Sequence, residues 1–137
     1  MPNVLSTDGP ARIARARPSP PRALLADPDE PTLALVGHRL ERAGFVVETY
    51  RNGPELLEAA RLDRPDVIVA ASRLPGLDGL AVYHALREGP SPPPVVLVFW
   101  PGNAAAVARA LDAGVADVIV RPLSMVEVVA RVKRFVA

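Results

Sequence analysis

The chain has 137 residues, of which 50% are hydrophobic and 23% are charged, and its formal net charge is +1. These values are typical of one soluble globular domain and favour no polyanionic partner. The absence of cysteine excludes disulfides, thiolate catalysis and cysteine-based zinc sites. No apolar run reaches the roughly 20 residues of a membrane span, and the N-terminal residues lack the apolar core of a secretory signal. We therefore expect a cytoplasmic protein without a membrane partner.

Residues 1–22 differ in composition from the rest of the chain. They carry five prolines and four arginines, with Asp8 as the acidic side chain, and show no apolar periodicity. Scattered arginines without interleaved aromatic side chains are a weak sign of nucleic-acid binding, so a disordered segment is favoured over a nucleic-acid-binding arm. We predict a disordered Pro/Arg-rich tail over residues 1–22 and a folded domain over residues 23–137, with nucleic-acid binding by this domain unexpected.

From Ala23 onward, short apolar runs alternate with stretches of helical periodicity. The runs cover residues 23–26, 45–47, 67–70, 95–99 and 118–120, and continuous apolar runs are typical of parallel strands buried on both faces. Between the runs, apolar side chains recur at helical spacing, as in Leu33, Val36, Leu40 and Ala43, in Leu80, Tyr83 and Leu86, and in Met125, Val128, Val132 and Phe135. Strictly alternating strands and helices predict an α/β domain with five buried parallel strands between two helix layers.

Helix boundaries follow from capping residues. N-caps are expected at Asn52, Asp78, Asn103 and Ser124, the last in a capping box with Glu127, and helix ends are expected at Gly44 and Gly114. In open α/β sheets, binding sites lie beyond the carboxyl ends of the strands. The residues that follow the first, third, fourth and fifth predicted strands are Asp27-Pro28-Asp29-Glu30, Ala71-Ser72, Phe99-Trp100 and Arg121-Pro122.

Two segments resemble the receiver domain of two-component response regulators. One runs from Arg64-Pro65-Asp66 to Pro75-Gly76-Leu77-Asp78-Gly79, and the other from Leu111-Asp112-Ala113-Gly114 to Arg121-Pro122. The resemblance covers about residues 23–137 and makes this a receiver-like domain. It implies a flavodoxin-like, doubly wound five-stranded parallel sheet in the order 2-1-3-4-5 with five helices, a three-layer sandwich.

The resemblance also assigns the family's phosphorylation site, where this sequence departs from the pattern. The phosphoacceptor aspartate falls on Ala71. Of the acidic pair that would hold Mg²⁺, Asp27 is kept and Pro28 replaces the second member, while Asp29 is out of register. A hard cation needs convergent carboxylates, so we expect magnesium binding to be weak or absent and predict no metal or cofactor. We expect Asp27 to be a strand-end residue or a partner of Arg121 rather than a metal ligand, although Arg121 could equally be exposed to solvent.

Further positions of this site carry other side chains. Phe99 stands where the family has a hydroxyl residue and Trp100 where it has a small one, and we expect both to fill the space that a phosphoryl group would enter. Arg121, before Pro122, replaces the family's lysine. It keeps the positive charge but carries it on a planar guanidinium instead of a compact ammonium group. Ser72 is discounted as a substitute acceptor because strand alternation points it away from the position of its neighbour.

Function is then expected from a surface. In the family, the face of the fourth helix, fifth strand and fifth helix carries signalling and dimerisation, and here that face would hold Arg109, Asp112, Asp117, Val118, Glu127, Arg131 and Arg134. Such charges can pair with a partner or form an ordinary solvated face. His38 and His84 are expected to be ordinary surface or boundary residues.

Two functions remain open, and an enzymatic one is not expected, because no nucleophile–base pair or phosphate-cradling glycine loop is present. The first is an atypical receiver that lacks the phosphoacceptor and signals by binding a protein partner or a second copy without phosphorylation. The second is a sensor that binds a small molecule in the degenerate pocket near Trp100 and Arg121. The predicted fold is the same for both functions.

Overall fold

The computed structural model describes residues 19–136 as a five-stranded parallel sheet between two layers of helices. The elements in chain order are β1 Arg22–Ala26, α1 Glu30–Arg42, β2 Val46–Tyr50, α2 Gly53–Leu62, β3 Val67–Ala71, α3 Gly79–Arg87, β4 Val95–Phe99, α4 Ala104–Ala113, β5 Asp117–Val120 and α5 Met125–Lys133. The strand order is β2-β1-β3-β4-β5 and every neighbouring pair is parallel. The predicted flavodoxin-like fold class and strand order are confirmed.

Most of the predicted tail lies outside the described residues. Its last member, Arg22, is the first residue of β1, where its N–H donates to Asp66 and its guanidinium donates to the carbonyl oxygens of Asp63 and Arg64. The folded part of the chain therefore begins at least one residue before the predicted boundary. No helix within residues 19–136 is long and apolar enough to cross a membrane.

Burial differs between the central strands and the edge strands. Every residue of β3 and β4 is buried, as is most of β1, whereas β2 and β5 are largely half-buried or exposed. The prediction of five fully buried strands is therefore wrong for the two edges. Val46 of β2 and Val120 of β5 are 45% and 46% exposed, because an edge strand has a neighbouring strand on one side alone.

Two apolar cores lie on opposite faces of the sheet. Alternation along each strand sends Leu24 to one face and Leu25 to the other. One core packs the sheet against α1 and α5, through Leu33, Val36, Leu40, Val128 and Val132. The other packs it against α2, α3 and α4, through Leu56, Ala60, Val82, Leu86 and Ala110. Burial of each large side chain stabilises the fold by roughly 1.5–3 kcal/mol. Helix α4 buries Ala110 alone, so most of its surface stays exposed.

Side-chain caps begin four of the five helices. The side chains of Asp29, Asn52, Asp78 and Ser124 accept hydrogen bonds from backbone N–H groups of the first turns of α1, α2, α3 and α5. Asn103 does stand at the N-cap position of α4, but its side chain does not cap the helix. The Asn103 amide instead donates to the Trp100 carbonyl oxygen at 2.8 Å. Of the two hydrogen bonds of the predicted capping box, the one from the Glu127 N–H to the Ser124 hydroxyl oxygen forms. The Glu127 carboxylate pairs with Arg131 instead of returning to the backbone of Ser124.

Two glycines place the helices that flank the site. Gly79, the first residue of α3, lies so close to the Ala71 carbonyl oxygen that a Cβ atom would collide with it, and α3 therefore starts directly beside the end of β3. Gly114 ends α4 with φ +103°, a conformation that favours glycine. A Cβ atom at Gly114 would lie 2.7 Å from the hydroxyl oxygen of Tyr83.

Candidate functional site

A cleft of about 420 Å³ opens beyond the carboxyl ends of β1, β3, β4 and β5. Its lining includes six residues that the sequence singled out for this site: Asp27, Pro28, Asp29, Ala71, Trp100 and Arg121. Strand ends converge there because all five strands are parallel, as expected for doubly wound folds. Sequence reasoning did not assign Thr32, Arg73 or Val98 to the site. Arg73 could have been found, since it follows β3 by two residues and carries a charge.

An ion pair between Asp27 and Arg121 lies in the wall of this cleft. The Arg121 Nη2 atom donates to Asp27 Oδ2 at 2.6 Å, and each side chain is only 9% exposed. The second carboxylate oxygen of Asp27 accepts the Asp29 N–H at 2.8 Å. This is the pairing that the sequence suggested in place of a metal. The bond from the Asp29 N–H to Asp27 helps to offset the cost of taking the two charges out of water.

Trp100 covers the same arginine. The guanidinium carbon of Arg121 lies 4.8 Å from the centre of the Trp100 ring, in the range of a cation–π contact. The Trp100 side chain is nevertheless 60% exposed. Arg121 is thus held between a carboxylate and an indole, and its Nε atom is buried without a hydrogen-bond partner among the described residues.

Three predictions about side-chain placement are corrected. Phe99 does not fill this cleft: it is 4% exposed and packs into the core against α2, α3 and α4, while Trp100 lines the cleft without closing it. Ser72, which directly follows the last residue of β3, is among the residues that line the cleft. Pro122 is exposed and is not part of the lining, and the Arg121–Pro122 peptide is cis.

The donor set of the cleft does not fit Mg²⁺. Ala71 and Pro28 offer no carboxylate, and Asp27 is already neutralised by Arg121. Asp29 caps α1: its Oδ2 accepts from both the hydroxyl and the N–H of Thr32, and these bonds lower the pKa of Asp29. No three His, Cys, Asp or Glu side chains in the described part of the chain are grouped so as to hold a metal ion.

A second cleft of about 580 Å³ adjoins the first. The two share Ser72, Arg73 and Trp100, so Trp100 forms a ridge between them. Phe99 and Arg109 line the second cleft, which reaches from the end of β4 to α4. Arg109, predicted for the interaction face, therefore also borders this pocket.

The predicted interaction face contains an internal ion network. Asp117 Oδ2 accepts from Arg131 at 2.9 Å and from Arg134 at 3.1 Å, and Arg131 also pairs with Glu127 at 3.0 Å. Burial works to raise the pKa of Asp117, but hydrogen bonds from the Val118 N–H and Arg131 outweigh it and hold the pKa below its ordinary value. The bonds to Asp117 and Glu127 raise the pKa of Arg131. These charges are therefore bound within the domain and are not fully available to a partner.

The remaining residues of that face behave differently. Arg109 and Asp112 are exposed on α4 and make no ion pair within residues 19–136, while Val118 packs partly against the core. Three exposed apolar side chains that the sequence did not single out lie on the same elements: Leu111 of α4, Val120 of β5 and Val126 of α5, which are 51%, 46% and 73% exposed. His38 and His84 are exposed on α1 and α3.

Known proteins resemble this chain in sequence and in structure. The sequence profile of the family described as response regulator receiver domain matches residues 23–133. The transcriptional regulatory protein PrrA of Mycobacterium tuberculosis is 38% identical over 113 residues, which are 82% of this chain and 48% of that protein. PhoP of Bacillus subtilis, an alkaline phosphatase synthesis transcriptional regulatory protein, is 34% identical over 112 residues, or 82% of this chain and 47% of that protein. This chain thus spans about half the length of these curated relatives.

Solved structures agree with this match. A putative response regulator from Chloroflexus aurantiacus superimposes with a TM-score of 0.79 at 27% identity, covering 85% of this chain and 97% of that one. The receiver domain of the Francisella response regulator 1452 superimposes with a TM-score of 0.79 at 26% identity, covering 84% and 95%. Both likenesses extend over nearly the whole described part of the chain.

Proposed function

This chain belongs to the family of response regulator receiver domains, and we propose that it works in two-component signal transduction without accepting a phosphoryl group. Members of the family bind partner proteins such as kinases. In this proposal the domain is an atypical receiver that signals by binding a protein, either a separate partner or a second copy. It has no catalytic role of its own.

The observation that carries the proposal is the Asp27–Arg121 ion pair beside Ala71. A phosphorylation site needs a carboxylate to accept the phosphoryl group and a cation to balance its charge. Ala71 has a methyl group at the acceptor position, and Arg121 lies 2.6 Å from the acidic residue that remains. In this proposal the guanidinium of Arg121 supplies the positive charge at the strand ends. Its packing between Asp27 and Trp100 sets the conformation of the strand ends.

The face of α4, β5 and α5 is the proposed docking surface. Arg109 and Asp112 make no ion pair with any residue between 19 and 136, and Leu111 and Val120 are exposed apolar side chains on α4 and β5. Protein interfaces typically combine exposed apolar side chains with charged ones at their rim. Asp117, Glu127, Arg131 and Arg134 contribute as a rigid, mutually paired group at its border. We therefore expect Leu111 to contribute more binding energy than Arg131.

Incubation with a small-molecule phosphodonor tests the first half of the proposal. The chain is mixed with acetyl phosphate and Mg²⁺ and analysed by intact-mass spectrometry, next to a receiver domain that keeps its phosphoacceptor aspartate. We expect a phosphoryl mass increase in the comparison protein and none in this chain. In NMR spectra, beryllofluoride with Mg²⁺ should leave the amide signals of Asp27 and Ala71 unmoved. A phosphorylated aspartate or glutamate in this chain would overturn the proposal.

A matched pair of surface variants tests the second half. Leu111→Glu places a charge in the proposed docking surface, whereas Leu62→Glu places the same charge at an 80% exposed leucine of α2. Both should fold as the wild type does, since neither leucine is in a core. Sedimentation velocity measures self-association, and cross-linking capture from native extract measures partner binding. We expect loss of the bound species with Leu111→Glu alone. Equal binding by both variants, or a strict monomer that captures nothing, contradicts this docking surface.

A further inference from the structure

Trp100 stands between the two clefts with most of its surface free. It lines both clefts, and one face of its ring is covered by the Arg121 guanidinium at 4.8 Å. The side chain remains 60% exposed although the surrounding strand ends are buried. An indole held flat by an arginine on one side offers its other side as a stacking surface for a second planar group.

The charges around Trp100 are unequally engaged. All three carboxylates that line the clefts have partners within the domain: Asp27 binds Arg121, Asp29 binds Thr32, and Asp78 caps α3 at the Ala81 N–H. The two exposed arginines that border the clefts are not matched in this way. Neither Arg73 nor Arg109 makes an ion pair or a side-chain hydrogen bond with any residue in the range 19–136. The formal charges of the residues that line the two clefts therefore sum to zero, but the charged groups without a partner among residues 19–136 are the two exposed arginines.

We propose that Trp100 and Arg73 form a binding site for a small planar aromatic anion, of which a nucleoside phosphate is the model compound. The ring stacks on the free face of Trp100, and the anionic group pairs with Arg73, assisted by the Ser72 hydroxyl. Arginine suits this role because its planar fork of donors matches phosphate and carboxylate oxygens. The clefts, about 420 and 580 Å³, fall within the usual range for small-molecule sites.

This site adjoins the proposed docking surface at Arg109, but it uses neither Leu111 nor Val120 of that surface. It gives the domain an input that does not pass through Ala71, because the ligand would lie against the same tryptophan that covers Arg121. The inference rests on the proposed function only in requiring that no phosphoryl group occupies the strand ends. A domain that binds no partner through Leu111 could still bind the aromatic anion, so the two proposals fail separately.

The fluorescence of Trp100 tests the inference directly, since the chain contains one tryptophan. The full chain is titrated with AMP, GMP and 1-naphthoate, and in parallel with adenosine and inorganic phosphate. We expect saturable quenching by at least one aromatic anion and a weaker response to adenosine, which has a ring without charge. Phosphate alone should have no effect. Since nucleotides and the aromatic carboxylate absorb light, NMR shifts at Ser72 and Arg73 are recorded in the same titrations.

Two arginine variants locate the anionic group. Arg73→Gln should weaken binding by about tenfold or more, the usual effect of losing a charged hydrogen bond. Arg61→Gln, at an exposed arginine of α2 remote from the clefts, should leave it unchanged. Trp100→Leu, followed by calorimetry, should weaken binding by about 5- to 150-fold, the range of base–aromatic stacking.

Three results would overturn the inference. The first is the absence of any fluorescence or NMR response to every aromatic anion tested. The second is an equal response to phosphate alone, which would indicate an anion site without stacking. The third is unchanged binding in Arg73→Gln. Both arginine side chains are exposed, so these variants should fold, and circular dichroism checks that they do.

Discussion

Breaking the Asp27–Arg121 pair should destabilise the domain strongly, and its cost can be worked out from the structure. Asp27→Asn keeps the shape of the side chain and its bond to the Asp29 N–H, but it leaves the buried guanidinium of Arg121, which lies against Trp100, without its carboxylate partner. Removal of one partner from a buried pair costs about 3–5 kcal/mol. Because Trp100 is 60% exposed, water can reach Arg121 by a small displacement of the indole. We therefore expect the lower end, about 3 kcal/mol.

The complementary change completes a double-mutant cycle. Arg121→Met keeps the side-chain stem beneath Trp100 and leaves the Asp27 carboxylate buried with one backbone donor, also at a cost of about 3 kcal/mol. In the double variant no charge is stranded, so it should be no less stable than either single variant. The coupling free energy is then at least about 3 kcal/mol, a large share of the roughly 5–15 kcal/mol of a typical domain.

Urea unfolding at neutral pH measures these free energies. Far-ultraviolet circular dichroism and Trp100 fluorescence should give coincident transitions, as two-state unfolding requires. Glu30→Gln is the control, since Glu30 lies 3.7 Å from Arg51 in an exposed pair that should contribute less than about 1 kcal/mol. If both single variants cost less than about 1 kcal/mol and their effects add in the double variant, the pair does not hold the strand ends together and the reasoning fails.

Three further predictions concern a charge network, a turn and the phosphoacceptor position. The pKa of Asp117 is lowered by folding, so its stabilisation is present above the unfolded value of about 3.9 and is lost as pH falls through the folded value. Asp117→Asn should therefore lower the free energy of unfolding by about 1 kcal/mol at neutral pH and by progressively less as the pH falls below about 3.9, and a cost that does not shrink in acid would refute this. Gly114→Ala should lower the free energy of unfolding, measured in urea, by about 2–3 kcal/mol, and Gly44→Ala should lower it by about 1 kcal/mol. Both glycines have φ +103°, but only at Gly114 would the new Cβ atom collide with Tyr83. Equal losses of stability in the two variants would exclude that contact. Ala71→Asp should gain no phosphoryl group from acetyl phosphate and Mg²⁺ in intact-mass spectra, because Arg121 still holds the neighbouring carboxylate; phosphorylation of this variant would show that the missing aspartate is the sole defect.

The fold was accessible from the sequence because its signals are local. Continuous apolar runs, helical spacing and capping residues all act over a few neighbours, and the side-chain caps at Asn52, Asp78 and Ser124 form where they were expected. The apolar run at residues 95–99 matches β4 at both ends. The exposure of the edge strands was harder to predict, because the position of a strand in a sheet depends on pairing between segments that are distant in the sequence. The three-residue run at 45–47 is short for a strand, and Val46 is in fact half exposed.

The sequence by itself determined the family, the strand order implied by it and the absence of a carboxylate at Ala71. It also indicated the pairing of Asp27 with Arg121. Only the tertiary structure decided how those residues meet. It brings together side chains 94 positions apart, stacks Trp100 on the arginine, turns Phe99 into the core and leaves the cleft open. The physical reason is that a residue's identity is local, whereas the direction of a side chain at a strand end depends on every element packed around it.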